Sequence, residues 1–131
     1  MKGYFVHMED ETIKNDNFRK VLYTAHYSQL VLMSLKPGED IGMETHASDQ
    51  FFRFEKGEGE VIIDGNKYKV KDGDSVIVPG GSQHNVTNTS KTESMKLYTV
   101  YSQPNHKDGV VAKTKAKAEG MKEVFDGKTT E

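Results

Sequence analysis

Gly38-Glu-Asp-Ile-Gly-Met-Glu44-Thr-His46-Ala-Ser-Asp-Gln50-Phe-Phe-Arg-Phe54-Glu-Lys-Gly57 places three possible metal-ligating side chains between two glycine turns. Glu44 and His46 are two positions apart, so on an extended chain both side chains leave the same face. Gln50 heads a run, Gln-Phe-Phe-Arg-Phe, that reads as a strand. If Gln50 points inward, Phe52 and Phe54 follow it, while Phe51 and Arg53 face the other way. A carboxylate, an imidazole and an amide would then converge on a point lined by aromatic rings.

A fourth group comes from a second stretch, Gly73-Asp-Ser-Val-Ile-Val-Pro79-Gly-Gly81-Ser-Gln-His84-Asn-Val-Thr-Asn88. Ser75 to Val78 is a short apolar strand, Pro79-Gly80-Gly81 breaks it, and His84 opens the next strand. That break lets His84 approach the other three groups across the fold.

Together the two stretches resemble the paired motifs of the cupin superfamily, Gly-x5-His-x-His-x3,4-Glu-x6-Gly and Gly-x5-Pro-x-Gly-x2-His-x3-Asn. Gly73, Pro79, Gly81, His84 and Asn88 match every position of the second motif. In the first, Gly38, His46 and Gly57 match, but Glu44 replaces a histidine and Gln50 replaces the glutamate. With flanking strands the resemblance covers residues 18 to 103. The run Ile-Gly-Met-Glu-x-His-x3-Asp-Gln-Phe-Phe-Arg and the segment Pro104-Asn-His-Lys-Asp-Gly-Val resemble, more narrowly, small one-domain bacterial cupins of the mannose-6-phosphate isomerase-like group. The resemblance implies an all-β double-stranded β-helix, a jelly-roll barrel, and a homodimer.

Glu44, His46, Gln50 and His84 carry one negative charge, as do three neutral imidazoles and one carboxylate, so the replacements move the charge without changing its sum. Glu44, His46 and His84 form a two-histidine, one-carboxylate set of the type that suits non-haem iron, and manganese, zinc, nickel and cobalt remain open. Gln50 is a weak amide-oxygen ligand, or a group that hydrogen-bonds a bound water. Alone, a Glu-x-His pair is ordinary for a solvated strand face and a loop histidine is ordinarily hydrogen-bonded. Two correctly spaced motifs on one fold favour a metal site.

The chain has 131 residues, which fit one domain with one modest core. Its boundaries are read as a polar arm at 1–17, a core at 18–103 and a tail at 104–131. With 18 basic and 20 acidic residues, the charge is close to balanced, which argues against a nucleic-acid or membrane surface. Cysteine is absent, so any metal must use nitrogen and oxygen donors. The N-terminal residues hold no apolar core of signal-peptide length, and no apolar run approaches the ~20 residues of a membrane span. A soluble cytoplasmic protein is the expectation.

Several further elements are expected along the chain. Residues 1–17 carry a short edge strand at Tyr4 to His7, with His7 on the surface. Phe18 to Leu35 form an antiparallel pair turning at Ala25-His26-Tyr27, with His26 exposed. Glu60 to Lys71 form a hairpin turning at Asp64-Gly65-Asn66, with Lys67, Lys69 and Lys71 on a watered face. Gln83 to Ser90 and Met95 to Gln103 supply two more strands, and opposite parity allows only one of Tyr98 and Tyr101 to line the cavity. A short helix lies within 110–124, interrupted by Gly120. His106 and Asp108 are read as a surface turn rather than a flap across the barrel mouth.

Functionally, the sequence points to an enzyme that uses one divalent metal as a Lewis acid on a small oxygenated metabolite, by isomerase-, lyase- or dioxygenase-type chemistry. The alternative is a non-catalytic cupin that binds a small molecule, or one with a decayed site. A phosphate substrate is hard to clamp. The only arginines are Arg19 and Arg53, parity turns Arg53 away, and a lysine such as Lys96 would have to substitute. No general base is identifiable beyond the ligands.

Overall fold

The computed structural model describes residues 1–121 and 123–131. Its strands are short, rich in β-branched and aromatic residues, and stopped by glycine or proline turns, so they stack as sheets rather than extend. Two antiparallel sheets result. The larger has the order β6-β3-β8-β2-β1-β9 and the smaller the order β5-β4-β7, with β1 at Arg19–Thr24, β2 at Gln29–Leu35, β3 at Asp49–Lys56, β4 at Glu58–Ile63, β5 at Asn66–Lys71, β6 at Ser75–Val78, β7 at His84–Asn88, β8 at Met95–Ser102 and β9 at Val111–Ala112. This is the all-β jelly roll expected from the sequence, with a small helix α2, Lys115–Glu119, near the C-terminus. Thr114 caps α2 through its hydroxyl, and Gly120 ends it.

The core lies between the sheets. Val31, Met33, Leu35, Phe52, Phe54, Val61, Val86 and Leu97 meet there. Parity holds along β3, where Gln50, Phe52 and Phe54 are sealed inside while Phe51 and Arg53 face out. Phe51 packs against Tyr98 on the outer face. The β4–β5 hairpin turns at Asp64 and Gly65, both with positive φ (46° and 83°). That geometry gives a two-residue hairpin turn its match to strand twist.

The N-terminal arm departs from expectation. Residues 4–7 form no strand, and α1 runs from Met8–Lys14. Glu9, Asp10 and Glu11 sit in its first turn and Lys14 in its last, the charge order that the helix dipole favours. The sheet edge beside β1 is already taken by β9, where Arg19 pairs with Ala112. A further strand has no partner there. The helix lies instead over the outer face of the large sheet, burying Thr12.

Asn88, the last position of the second motif, ties the barrel's far end together. Its side chain is fully buried and its amide nitrogen reaches the carbonyls of Leu35 (3.1 Å), Lys36 (3.1 Å) and Glu93 (2.9 Å), while its oxygen accepts from the Ser90 backbone N–H (3.0 Å). Truncation strands several buried polar groups. Asn88→Ala is therefore expected to lower unfolding free energy by about 2–3 kcal/mol, read from urea denaturation. A loss below about 0.5 kcal/mol contradicts this role for the side chain.

Candidate metal centre

The site begins with main chain. Residues 40–44 run alongside β7: Asp40 bridges Thr87 and Glu44 bridges His84. Glu44 N–H donates to the His84 carbonyl (2.8 Å) and His84 N–H donates to that of Glu44 (2.9 Å). The loop carrying His46 is fastened to the Pro79-Gly80-Gly81 turn in the same way. Gly81 N–H donates to the His46 carbonyl (2.9 Å) and Gly80 N–H to the Asp49 carboxylate (2.7 Å). The two segments touch so closely at Gly80 that a Cβ there would stand 2.2 Å from the Ala47 carbonyl oxygen.

On this frame, Glu44, His46 and His84 offer donor atoms that all lie within 4.8 Å of one another. The Nδ1 atoms of the two imidazoles face carbonyl oxygens, Ser48 at 3.3 Å for His46 and Ser82 at 2.9 Å for His84. A carbonyl only accepts, so each Nδ1 carries a proton, and in the neutral ring each Nε2 keeps its lone pair. Gln50 is oriented similarly. Its amide nitrogen donates to the buried Thr99 hydroxyl (2.9 Å), leaving Oε1 unused.

His46 Nε2, His84 Nε2 and Gln50 Oε1 are all sealed from water without a hydrogen-bond partner. Buried acceptors left unmatched are costly. Acceptors on neighbouring side chains beside a carboxylate match what a bound cation requires, and nitrogen-plus-oxygen donor sets suit first-row transition ions. The rings of His46 and His84 lie 4.8 Å apart at 75°, and Phe52 and Tyr101 close the walls around them. Burial, helped by the neighbouring His84, holds His46 below its ordinary pKa, against the pull of the Ser48 carbonyl and Glu44. It therefore stays neutral, the form that ligates.

Tyr101, not Tyr98, is the tyrosine that faces the cavity. Its ring lies against His46 (5.5 Å between centroids) and against His106 (5.0 Å). His106 is not in a surface turn. It is buried, with Nε2 3.0 Å from the Tyr101 hydroxyl and Nδ1 3.2 Å from the Glu123 carboxylate, which also holds Arg19. Gln29 fixes the backbone there, donating to the His106 carbonyl (2.7 Å) and accepting from the N–H groups of Asn105 (3.1 Å) and His106 (2.9 Å). Asp108 stays near the surface and accepts from the Thr130 hydroxyl (2.8 Å). The tail thus closes over one side of the barrel mouth, leaving a cleft of about 450 Å³ whose walls include Glu44, Arg19, His106 and Glu123. No local pattern announces this chain, because Arg19 and Glu123 are 104 positions apart.

Arg53 faces away from the site, as its parity indicates, and Lys96 does not take its place as a phosphate ligand. Arg53 pairs with Glu55 on the outer face (2.8 Å). Lys96 is buried beneath the end of α1, donating to the Asn15 carbonyl (2.6 Å), Asp16 (2.8 Å) and the Ser34 hydroxyl (3.0 Å).

Comparison with known proteins supports the reading of the fold. A family model described as Cupin domain matches residues 31–101. The chain is 41% identical over 112 residues to the uncharacterized protein L612 of Acanthamoeba polyphaga mimivirus, covering 82% of this chain and 70% of that protein. It is 43% identical over 124 residues to the uncharacterized protein YrkC of Bacillus subtilis, covering 89% of this chain and 66% of that one. The crystal structure of BH2720 from Bacillus halodurans superposes with a TM-score of 0.89 at 39% identity, over 92% of this chain and 96% of that one. Among the described residues, no helix is long and apolar enough to cross a membrane.

The buried histidines predict a pH dependence. Burial lowers the pKa values of both His46 and His106 below 6.5, with His106 opposed by Glu123. The unfolded chain then takes up protons below pH 6.5 that the native state refuses, so stability is unaffected above that pH and falls as pH drops below it. Burial raises the Glu123 carboxyl, but His106 and Arg19 outweigh it and hold the group below 4.5, which adds a further loss at lower pH. Urea midpoints of the metal-free protein are expected to be level from about pH 7 to 8 and to decline below about 6.5. His106→Gln should flatten part of that decline, and a midpoint rising on acidification contradicts the assignment.

Proposed function

The chain belongs to the cupin family, and from that premise we propose that it is an enzyme binding one divalent transition-metal ion through Glu44, His46 and His84 and acting on a small oxygenated metabolite. Gln50 is the fourth donor, through Oε1. The observation that carries this reading is the set of buried acceptors without partners, His46 Nε2, His84 Nε2 and Gln50 Oε1, gathered beside the Glu44 carboxylate. Such a set is costly to bury for structure alone.

The ion would supply Lewis-acid polarisation of a carbonyl or hydroxyl oxygen. The chain does the rest. Ser48 and Ser82 hold the imidazoles in the ligating tautomer, and Thr99 turns the Gln50 amide oxygen inward. Phe52 and the Tyr101 ring keep water from the far side of the donor set. His106 Nδ1–H donates to the Glu123 carboxylate, so Nε2 accepts from Tyr101, whose oxygen keeps its lone pairs for a neighbouring donor. Iron, manganese, zinc, nickel and cobalt all suit the donors.

Isomerase-like chemistry, suggested by the resemblance to the mannose-6-phosphate isomerase-like group, fits this arrangement if the substrate is not phosphorylated. Arg53 and Lys96 are committed away from the site.

Protein purified without an affinity tag and reconstituted is expected to hold about one equivalent of metal. His46→Ala and His84→Ala should each fall below about one tenth of an equivalent while remaining folded by circular dichroism. Gln50→Ala should weaken metal affinity by about tenfold and keep the stoichiometry at excess ion. Wild-type uptake under about one tenth of an equivalent rejects the metal reading. Full uptake without turnover of any hydroxy- or oxo-compound rejects the catalytic half and leaves a binding protein.

A further inference from the structure

The cleft beside Glu44 contains a buried cation with a free edge. Arg19 is 6% exposed and gives Nη1 to Glu123, while its Nε, sealed from solvent as Glu123 Oε2 is, has no hydrogen-bond partner among the described residues. A guanidinium presents its donors as planar forks, and the fork that includes Nε is the one Glu123 leaves alone. Carboxylates dock on such forks through paired, charge-assisted bonds. Asn105 and His106 flank the opening with polar groups, and Met121 and Val124 supply an apolar side for C–H groups.

The charge in the cleft sets the ligand's charge. Arg19 and Glu123 cancel. A divalent ion carries two positive charges and Glu44 one negative, while His46, His84 and Gln50 are neutral, so the loaded site keeps one positive charge. His106 is neutral as well, since burial lowers its pKa. One negative charge completes the balance, and a phosphate dianion brings too much, with no second free cation among the described residues lining the cleft to meet it. Lys115 of α2 is bound to Asp40.

We propose that this cleft is a subsite for a small hydroxy- or oxo-carboxylate, whose carboxylate docks on the free edge of Arg19 and whose adjacent oxygen is directed toward the Glu44 side of the donor set. The second contact rests on the metal reading above; the Arg19 contact does not. The chain's own tail builds the subsite, because Glu123 orients Arg19 and Gln29 holds Asn105 and His106 across the mouth.

The test uses the full chain, metal-loaded and metal-free, titrated with glycolate, ethylene glycol and 2-phosphoglycolate by calorimetry. Glycolate is expected to bind more tightly than the neutral diol and at least as tightly as the phosphorylated acid. Arg19→Gln should weaken glycolate by about tenfold or more and leave ethylene glycol and metal content unchanged. Glu123→Gln keeps a side-chain oxygen that can orient the guanidinium and removes the negative charge that cancels it, so glycolate should bind as tightly as to wild type or tighter. That opposite sign decides the matter if Arg19→Gln does not fold. Equal affinities for glycolate and ethylene glycol, or weaker glycolate binding to Glu123→Gln, overturn the proposal. If the protein takes up no metal, the metal reading fails, and glycolate binding to metal-free protein with and without Arg19 still decides the subsite.

Discussion

Two carbonyl oxygens, those of Ser48 and Ser82, govern the behaviour of the cavity. Each takes the Nδ1 proton of the histidine two positions away, so both imidazoles turn Nε2 inward, and in the neutral ring that nitrogen offers its lone pair. The fold then closes Phe52 and Tyr101 around those lone pairs and adds the amide oxygen of Gln50, itself turned by Thr99. These acceptor atoms are sealed from solvent, and among the described residues no donor meets them. The resulting negative potential, rather than any one side chain, makes this end of the barrel suited to a cation.

Much of the frame was legible in the sequence because it depends on periods and breaks. The alternation along Gln50-Phe51-Phe52-Arg53-Phe54, the Asp64-Gly65 turn and the Pro79-Gly80-Gly81 interruption are local signals, and the chain folds as they indicate. The spacing of Glu44, His46, Gln50 and His84 brought those residues into consideration, and the structure gathers the carboxylate and both imidazoles within a few ångströms. What escaped was of two kinds. The helix α1 was hidden in a polar arm whose acidic start and basic end were the only clue, and its apolar contribution is small. His106 looked like a turn residue because what buries it, Tyr101, Gln29 and Glu123, comes from three separate parts of the chain.

The tail therefore belongs to the site. Arg19 from the first strand and Glu123 from beyond the last helix are joined in the wall of the same cleft that exposes Glu44. Tyr101 lies between the two halves, with one face toward His46 and its hydroxyl toward His106. A substitution in the tail can reach the donor set through one aromatic ring, without touching Glu44, His46, Gln50 or His84.

The reciprocal backbone bond between Glu44 and His84 has a different consequence. Distances between ligating residues are usually tuned by rotamers, yet here two of them are clasped peptide to peptide before either side chain begins. Their separation is inherited from strand pairing, as regular as the rungs of a ladder. Exchanging the chemistry of those positions, a histidine for the glutamate or the reverse, would alter the donor set while the gauge of the cradle stayed as it was.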